Sequence, residues 1–187
     1  MNTNEILQGI LRELMQIAKA IPEAETEALR EKIRTANKIF VAGAGRSLMM
    51  IRGLAMRLMQ LGYQAYVVGE TVTPAMEEGG LLIIASGSGE TGTLCSIAAK
   101  CKKLNGTLAL ITTKKDSTIG KMADLTLVIP AATTKRADSS FASVQLGANS
   151  FEQLVLLLGD ALTLKLAEES TLTETNARLM KYHANLE

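Results

Sequence analysis

Apolar residues recur at two different periods along this chain, and the switch between them divides it. Residues 4–19 place Ile6, Leu7, Ile10, Leu11, Leu14 and Ile17 at the three- and four-residue intervals of an amphipathic helix. A second, more charged helix is expected over 23–36, with Pro22 at its entry. From Lys38 the period changes. "KIFVAGAG" (38–45) reads as a short buried strand running into glycines, and 47–62 as a helix ended by Gly62. Further strands are expected at 64–69, 81–86, 107–113 and 125–130, with helices at 91–106 and, shorter, around 117–123. A loop rich in Ala, Thr and Ser then leads to a long apolar helix at 150–169 and a last helix over about 172–182.

Five apolar strands separated mostly by helices predict a parallel sheet covered on both faces. The fold class expected is α/β, a doubly wound three-layer α/β/α sandwich. Its 187 residues suit one domain, with N-terminal helices 4–36, a sheet core 38–130 and C-terminal helices 150–182. Helix 150–169 is apolar around most of its circumference, more than one sheet contact requires, which points to burial against a second subunit. Met49, Met50, Met56 and Met59 share one expected helix and are read as packing residues of a core or a subunit interface.

Charge and composition then remove whole classes. A net charge of +1, no basic run and 3% aromatic residues argue against a nucleic-acid partner. Glu5, Arg12 and Glu13 interrupt the N-terminal apolar residues, and no apolar run approaches about 18 residues, so neither a signal peptide nor a membrane span is expected. A cytoplasmic protein is the expectation. Cys95 and Cys101 fall six apart on one helix and face different ways, which suggests neither a disulfide nor a zinc site. With His183 as the single histidine, a multi-histidine metal site is excluded.

Two strand-to-helix junctions carry candidate chemistry. Gly43-Ala44-Gly45-Arg46-Ser47 starts like a dinucleotide fingerprint, but Leu48 stands at the third glycine position. The second junction, Ser86-Gly87-Ser88-Gly89-Glu90-Thr91, is neither a Walker loop nor a nucleophile elbow. Gly87 and Gly89 let the backbone curl so that successive N–H groups converge at the start of the next helix. Ser86, Ser88 and Thr91 add hydroxyl donors. A dianionic phosphate monoester satisfies that many donors, so a phosphate-bearing ligand is expected. Glu90 is read as turning outward in the helix's first turn or pairing with Arg46; its alternative is a direct role on the substrate.

"SGSGET" after an apolar strand resembles the phosphate loop of the sugar isomerase (SIS) domain family. "AGAGRS" (42–47), "AMRLMQLGY" (55–63), "VGETVTP" (68–74), "FEQ" (151–153) and "HANLE" (183–187) narrow the likeness. They resemble the branch whose members interconvert arabino-3-hexulose 6-phosphate and fructose 6-phosphate. The resemblance implies a five-stranded sandwich, a homotetramer with sites at subunit junctions, a phosphosugar substrate, and no metal or organic cofactor. One departure stands out: such proteins commonly carry histidine where this chain has Gln60. Glutamine can replace it as a hydrogen-bonding group but not in proton transfer.

Moving a carbonyl from C3 to C2 needs a carboxylate to take the C2 proton and return it at C3. Ser150 and Gln153 are spaced as a capping box, which would put Glu152 in the first turn of helix 151–168. By position alone Glu152 could merely complement the helix dipole; the likeness at "FEQ" favours it as the base, with Glu90 as rival. His183, by the resemblance of the tail, reaches a neighbouring subunit's site. Gly45, Arg46 and Ser47 would orient the sugar and steady the enediolate, unless Arg46 is only a surface ion pair with Glu70 or Glu90. Two alternatives remain: another SIS aldose–ketose isomerase, and a non-catalytic sugar-phosphate sensor.

Overall fold

The computed structural model describes residues 1–132, 143, 145, 147, 149–168 and 170–186. Most of the Ala-, Thr- and Ser-rich stretch expected as a loop lies outside these residues. The chain runs α1 (Thr3–Ala18), α2 (Glu23–Thr35), β1 (Ile39–Gly43), α3 (Gly45–Gln60), β2 (Ala65–Val67) and β3 (Leu81–Ala85). It continues through α4 (Gly92–Lys103), β4 (Thr107–Thr112), α5 (Thr118–Met122), β5 (Leu125–Val128), α6 (Ser150–Ala167) and α7 (Leu172–Tyr182).

The five strands form one sheet in the order β2-β1-β3-β4-β5, parallel throughout. Alternate residues of each strand serve opposite cores. Val41, Ile83 and Ile111 pack with α2, α3 and α6, whereas Phe40, Leu82 and Leu110 pack with α4 and α5. Both faces are therefore covered, and the three-layer expectation holds. Cys101 lies in the second core; burial pushes its thiol up to about 11, which leaves it a packing residue at neutral pH.

β2 is shorter than its apolar run, because Gly69 turns the chain at φ +95° and Thr73 Oγ1 donates to the Val67 carbonyl at 2.6 Å. The apolar stripe of α1 is only partly covered. Leu14 and Ile17 are buried, but Ile6, Leu7, Leu11 and Met15 face outward. They join Leu157 and Leu164 of α6 as exposed apolar side chains, and a groove of about 390 Å³ lies between α1, α2 and α6. Of the four α3 methionines, Met49, Met56 and Met59 are exposed and only Met50 packs on the core. The core reading of that stripe is thus corrected for three of its members.

α3 and α6 lie side by side at close range. A Cβ at Gly159 would sit 3.3 Å from the Leu54 Cβ, and one at Gly53 would meet Leu156 Cδ1 at 2.9 Å. The first turns of the two helices consequently stand level with each other, at the carboxyl ends of the strands.

Candidate active site

β1 and β3 are neighbours, with Gly43 paired to Ala85 at their carboxyl ends, yet the chain leaves them in opposite directions. β1 leads through α3 to β2 on one side; β3 leads through α4 to β4 on the other. Such a reversal of strand order opens a crevice that no crossover covers. Both junctions singled out from the sequence flank it.

At β3 the segment Ser86–Thr91 curls on itself. The Gly89 N–H donates to the Ser86 carbonyl at 3.2 Å and to Ser86 Oγ at 3.1 Å, and the Glu90 N–H donates to Ser88 Oγ at 3.2 Å. Each serine hydroxyl thus accepts an amide proton and keeps its own hydrogen to donate elsewhere. Gly89 holds φ +66°, a left-handed conformation that a glycine adopts freely. The amides of Gly87 and Ser88 donate to no acceptor among the described residues. No side chain caps α4, so the Thr91 hydroxyl and the first amides of that helix are also uncommitted.

The loop after β4 holds this curl from behind. The Gly87 carbonyl accepts from Thr113 Oγ1 at 2.7 Å, Thr112 Oγ1 at 3.2 Å and the Thr113 N–H at 3.2 Å. The Gly89 carbonyl accepts from the Ile119 N–H at 3.1 Å. Glu90 is exposed but pairs with neither Arg46 nor the first turn of α4. Its carboxylate accepts from the Thr118 N–H at 3.0 Å and from Thr118 Oγ1 at 2.6 Å. These hydrogen bonds hold its carboxyl below the usual glutamate range. The sequence reading missed this second layer, although "TTKKDST" (112–118) is a conspicuous hydroxyl-rich run after an apolar strand.

At β1, Ser47 is buried in the first turn of α3, and Gly45 and Arg46 are exposed at its start. Glu70 pairs with Arg52 at 3.3 Å, not with Arg46. The Arg46 charge acts instead on Glu152. Glu152 sits in the first turn of α6, half-buried, with Oε2 enclosed and without a hydrogen-bond partner among the described residues. Burial raises its pKa, against the lesser pull of its own backbone N–H and of Arg46.

The expected Ser150–Gln153 capping box does not form. The N-cap is Asn149, already helical at φ −72°, ψ −2°, so Ser150 is the first helical residue and cannot reach back. Ser150 Oγ has no partner among the described residues, and Gln153 Oε1 accepts from the Gln145 side chain at 2.9 Å.

Two of the residues singled out lie elsewhere. Gln60 ends α3, buried, and accepts from Arg57 Nη1 at 2.9 Å. A helix rises about 1.5 Å per residue, which puts Gln60 roughly 22 Å from Gly45. His183 follows α7, whose Tyr182 ring packs on Gly62, so it too stands at the far end of the sheet. Its ring is exposed, with Nδ1 3.0 Å from the Ala184 carbonyl oxygen. One protomer therefore gathers the Ser86–Thr91 curl, Arg46, Ser47 and Glu152, but not Gln60 or His183.

Residues 32–158 match the SIS domain family. The 3-hexulose-6-phosphate isomerase of Bacillus subtilis (strain 168) is 43% identical over 187 residues, all of both chains. That of Methylomonas aminofaciens is 33% identical over 184 residues, 98% of this chain and 99% of its own. A hypothetical protein of Methanococcus jannaschii, whose crystal structure infers a molecular function of 3-hexulose-6-phosphate isomerase, superposes with a TM-score of 0.82 at 30% identity. That match covers 98% of this chain and 99% of the other.

Proposed function

This chain belongs to the SIS domain family, and from that premise we propose that it interconverts arabino-3-hexulose 6-phosphate and fructose 6-phosphate, the 6-phospho-3-hexuloisomerase reaction. The observation that carries the proposal is a carboxylate with one enclosed, unpartnered oxygen beside Arg46, at the same end of the sheet as the anion cradle.

The phosphate is held by the Gly87 and Ser88 amides, the start of α4, and the hydroxyls of Ser86, Ser88 and Thr91, with Gly89 shaping the curl. Fixing that end of the sugar turns proton transfer at its other end into an intramolecular event. Glu152 takes the proton from C2 to give a 2,3-enediolate, the O2 hydroxyl proton passes to O3, and Glu152 returns its proton to C3, leaving the ketone at C2. Arg46 and Ser47 steady the oxygen that gains charge. No redox group is needed, because the substrate's own ketone stabilises the carbanion. Glu90 is the weaker candidate for the base, since both its oxygens are hydrogen-bonded and its affinity for protons is lowered.

His183, exposed after α7, enters the site from another copy of the chain, which accounts for its distance from the cradle within one protomer. The exposed apolar side chains of α1, α3 and α6 favour a homotetramer in which such sharing occurs. Gln60 stays buried against Arg57 in its own protomer, where its amide serves as a hydrogen-bonding group and not in proton transfer. His183 serves ring opening of fructose 6-phosphate. The 3-ketose cannot close through O6, which bears phosphate, and closure through O5 would make a four-membered ring. His183→Ala is therefore expected to slow conversion of fructose 6-phosphate about 10-fold or more, by loss of acid–base assistance, and the opposite direction far less. Initial rates measured from both sides check this; equal slowing would remove ring opening from its role.

Incubation with fructose 6-phosphate in deuterated water tests the reaction as a whole. Exchange at C3 with appearance of the 3-hexulose is expected. Exchange at C1 with aldose formation would make the chain a different SIS isomerase, and binding without exchange would make it a sensor.

A further inference from the structure

The cradle's shape is set by groups that never face its ligand. In a trans peptide the carbonyl and the following N–H point in opposite directions. The Gly87 carbonyl is drawn into the β4–α5 loop, where Thr113 Oγ1 donates to it at 2.7 Å, the shortest of the three bonds it accepts. The Ser88 N–H of the same peptide unit must then point the other way, out into the crevice between β1 and β3. Because the segment is glycine-flanked on both sides of Ser88, its backbone has little intrinsic preference for that orientation. Something outside it has to choose. Thr113 is buried and carries the hydroxyl that makes the choice.

We infer that Thr113 is a positioning residue for the phosphate: through the Gly87 carbonyl, its hydroxyl aims the Ser88 N–H at the ester. This rests on reading the Ser86–Thr91 curl as the phosphate site. Thr112 and the Thr113 N–H reinforce the same carbonyl at 3.2 Å, so the peptide is biased by Thr113 without depending on it alone for folding. The chemical work of Glu152 lies on a different helix. Loss of the Thr113 hydroxyl should then weaken capture of the phosphate and leave the proton transfers nearly untouched.

The test compares Thr113→Val, which keeps the shape and removes the hydroxyl, with Thr113→Ser, which keeps the hydroxyl. Steady-state rates with fructose 6-phosphate are measured alongside competitive inhibition by inorganic phosphate. T113V is expected to raise KM and the phosphate inhibition constant together by about tenfold, the effect of one hydrogen bond to an anion donor, with kcat changed less than about twofold. T113S is expected to bring both back to within about twofold of the unaltered protein. An unmoved KM in T113V, a fall in kcat alone, or no recovery in T113S would overturn the inference. If T113V does not fold, Thr113→Ala carries the same expectation, read as a smaller rise in melting temperature on adding phosphate. Failure of the underlying site looks different: the unaltered protein would then show no competitive inhibition by phosphate at all.

Discussion

Glu152→Gln is expected to lower kcat by about 10³-fold, within the range for loss of a positioned general base, and also to make the protein harder to unfold at neutral pH. The two effects have one origin. Burial raises the Glu152 pKa in the folded state, and neither its backbone hydrogen bond nor Arg46 offsets it fully. Because the folded pKa lies above the unfolded one, the folded state binds this proton more tightly. That contribution to stability is complete below the unfolded pKa and is lost as pH rises through the folded value. Above it the protein carries an ionised carboxylate whose Oε2 is enclosed and unpartnered. Glutamine never ionises and escapes that cost. Melting temperatures at pH 8 and pH 4, paired with kcat, check the expectation: the variant should melt higher at pH 8, and the gap should close toward pH 4. A variant with a tenth of the original kcat, or a gap independent of pH, would remove Glu152 from the role of base. The acid limb of kcat/KM in the unaltered protein should likewise fall above the ordinary glutamate value of about 4.3.

Gly89→Ala is the second large effect. At φ +66° a side chain strains the backbone by about 1–2 kcal/mol. Space is the greater problem, since a Cβ there would run into Oγ and Cβ of Ser117. Ser117 caps α5 by accepting from the Gly120 N–H at 3.1 Å, so its displacement loosens the loop that holds the cradle. Together the strain and overpacking amount to about 3 kcal/mol of stability. KM for the phosphosugar is expected to rise about 100-fold, because the Gly87 and Ser88 amides no longer converge. Adding Ser117→Gly removes the collision but not the strained φ, and should recover part of the stability. Thermal unfolding and KM on the single and double variants separate the two causes; an unaffected KM in Gly89→Ala would dissociate this curl from substrate binding.

The strands were legible because parallel strands buried on both faces are written as uninterrupted apolar runs, and all five lie where those runs do. The curl at Ser86–Thr91 was legible too, because glycines at a strand end permit a tight turn and the neighbouring serine hydroxyls accept its amides. What supports the cradle was not. Glu90 meets Thr118 across 28 residues and Gly87 meets Thr113 across 26, and no local pattern announces such partners. The capping-box spacing of Ser150 and Gln153 misled by a single residue, since only the backbone angles of Asn149 reveal where the helix starts. For α1, periodicity identified an apolar face without saying what covers it; Leu7 and Leu11 remain outward in the protomer. Gln60 and His183 stood among the site residues by resemblance, and only the length of α3 exposes how far from the cradle one chain holds them.

The principal donors of the curl after β3 are main-chain amides, oriented by a separate loop. A peptide N–H survives almost any replacement of the side chain it carries, so inherited variation can rewrite the exposed residues of this segment without removing those amides. Changes that alter which sugar is accepted are left to accumulate across the crevice, on the opening turns of α3 and α6.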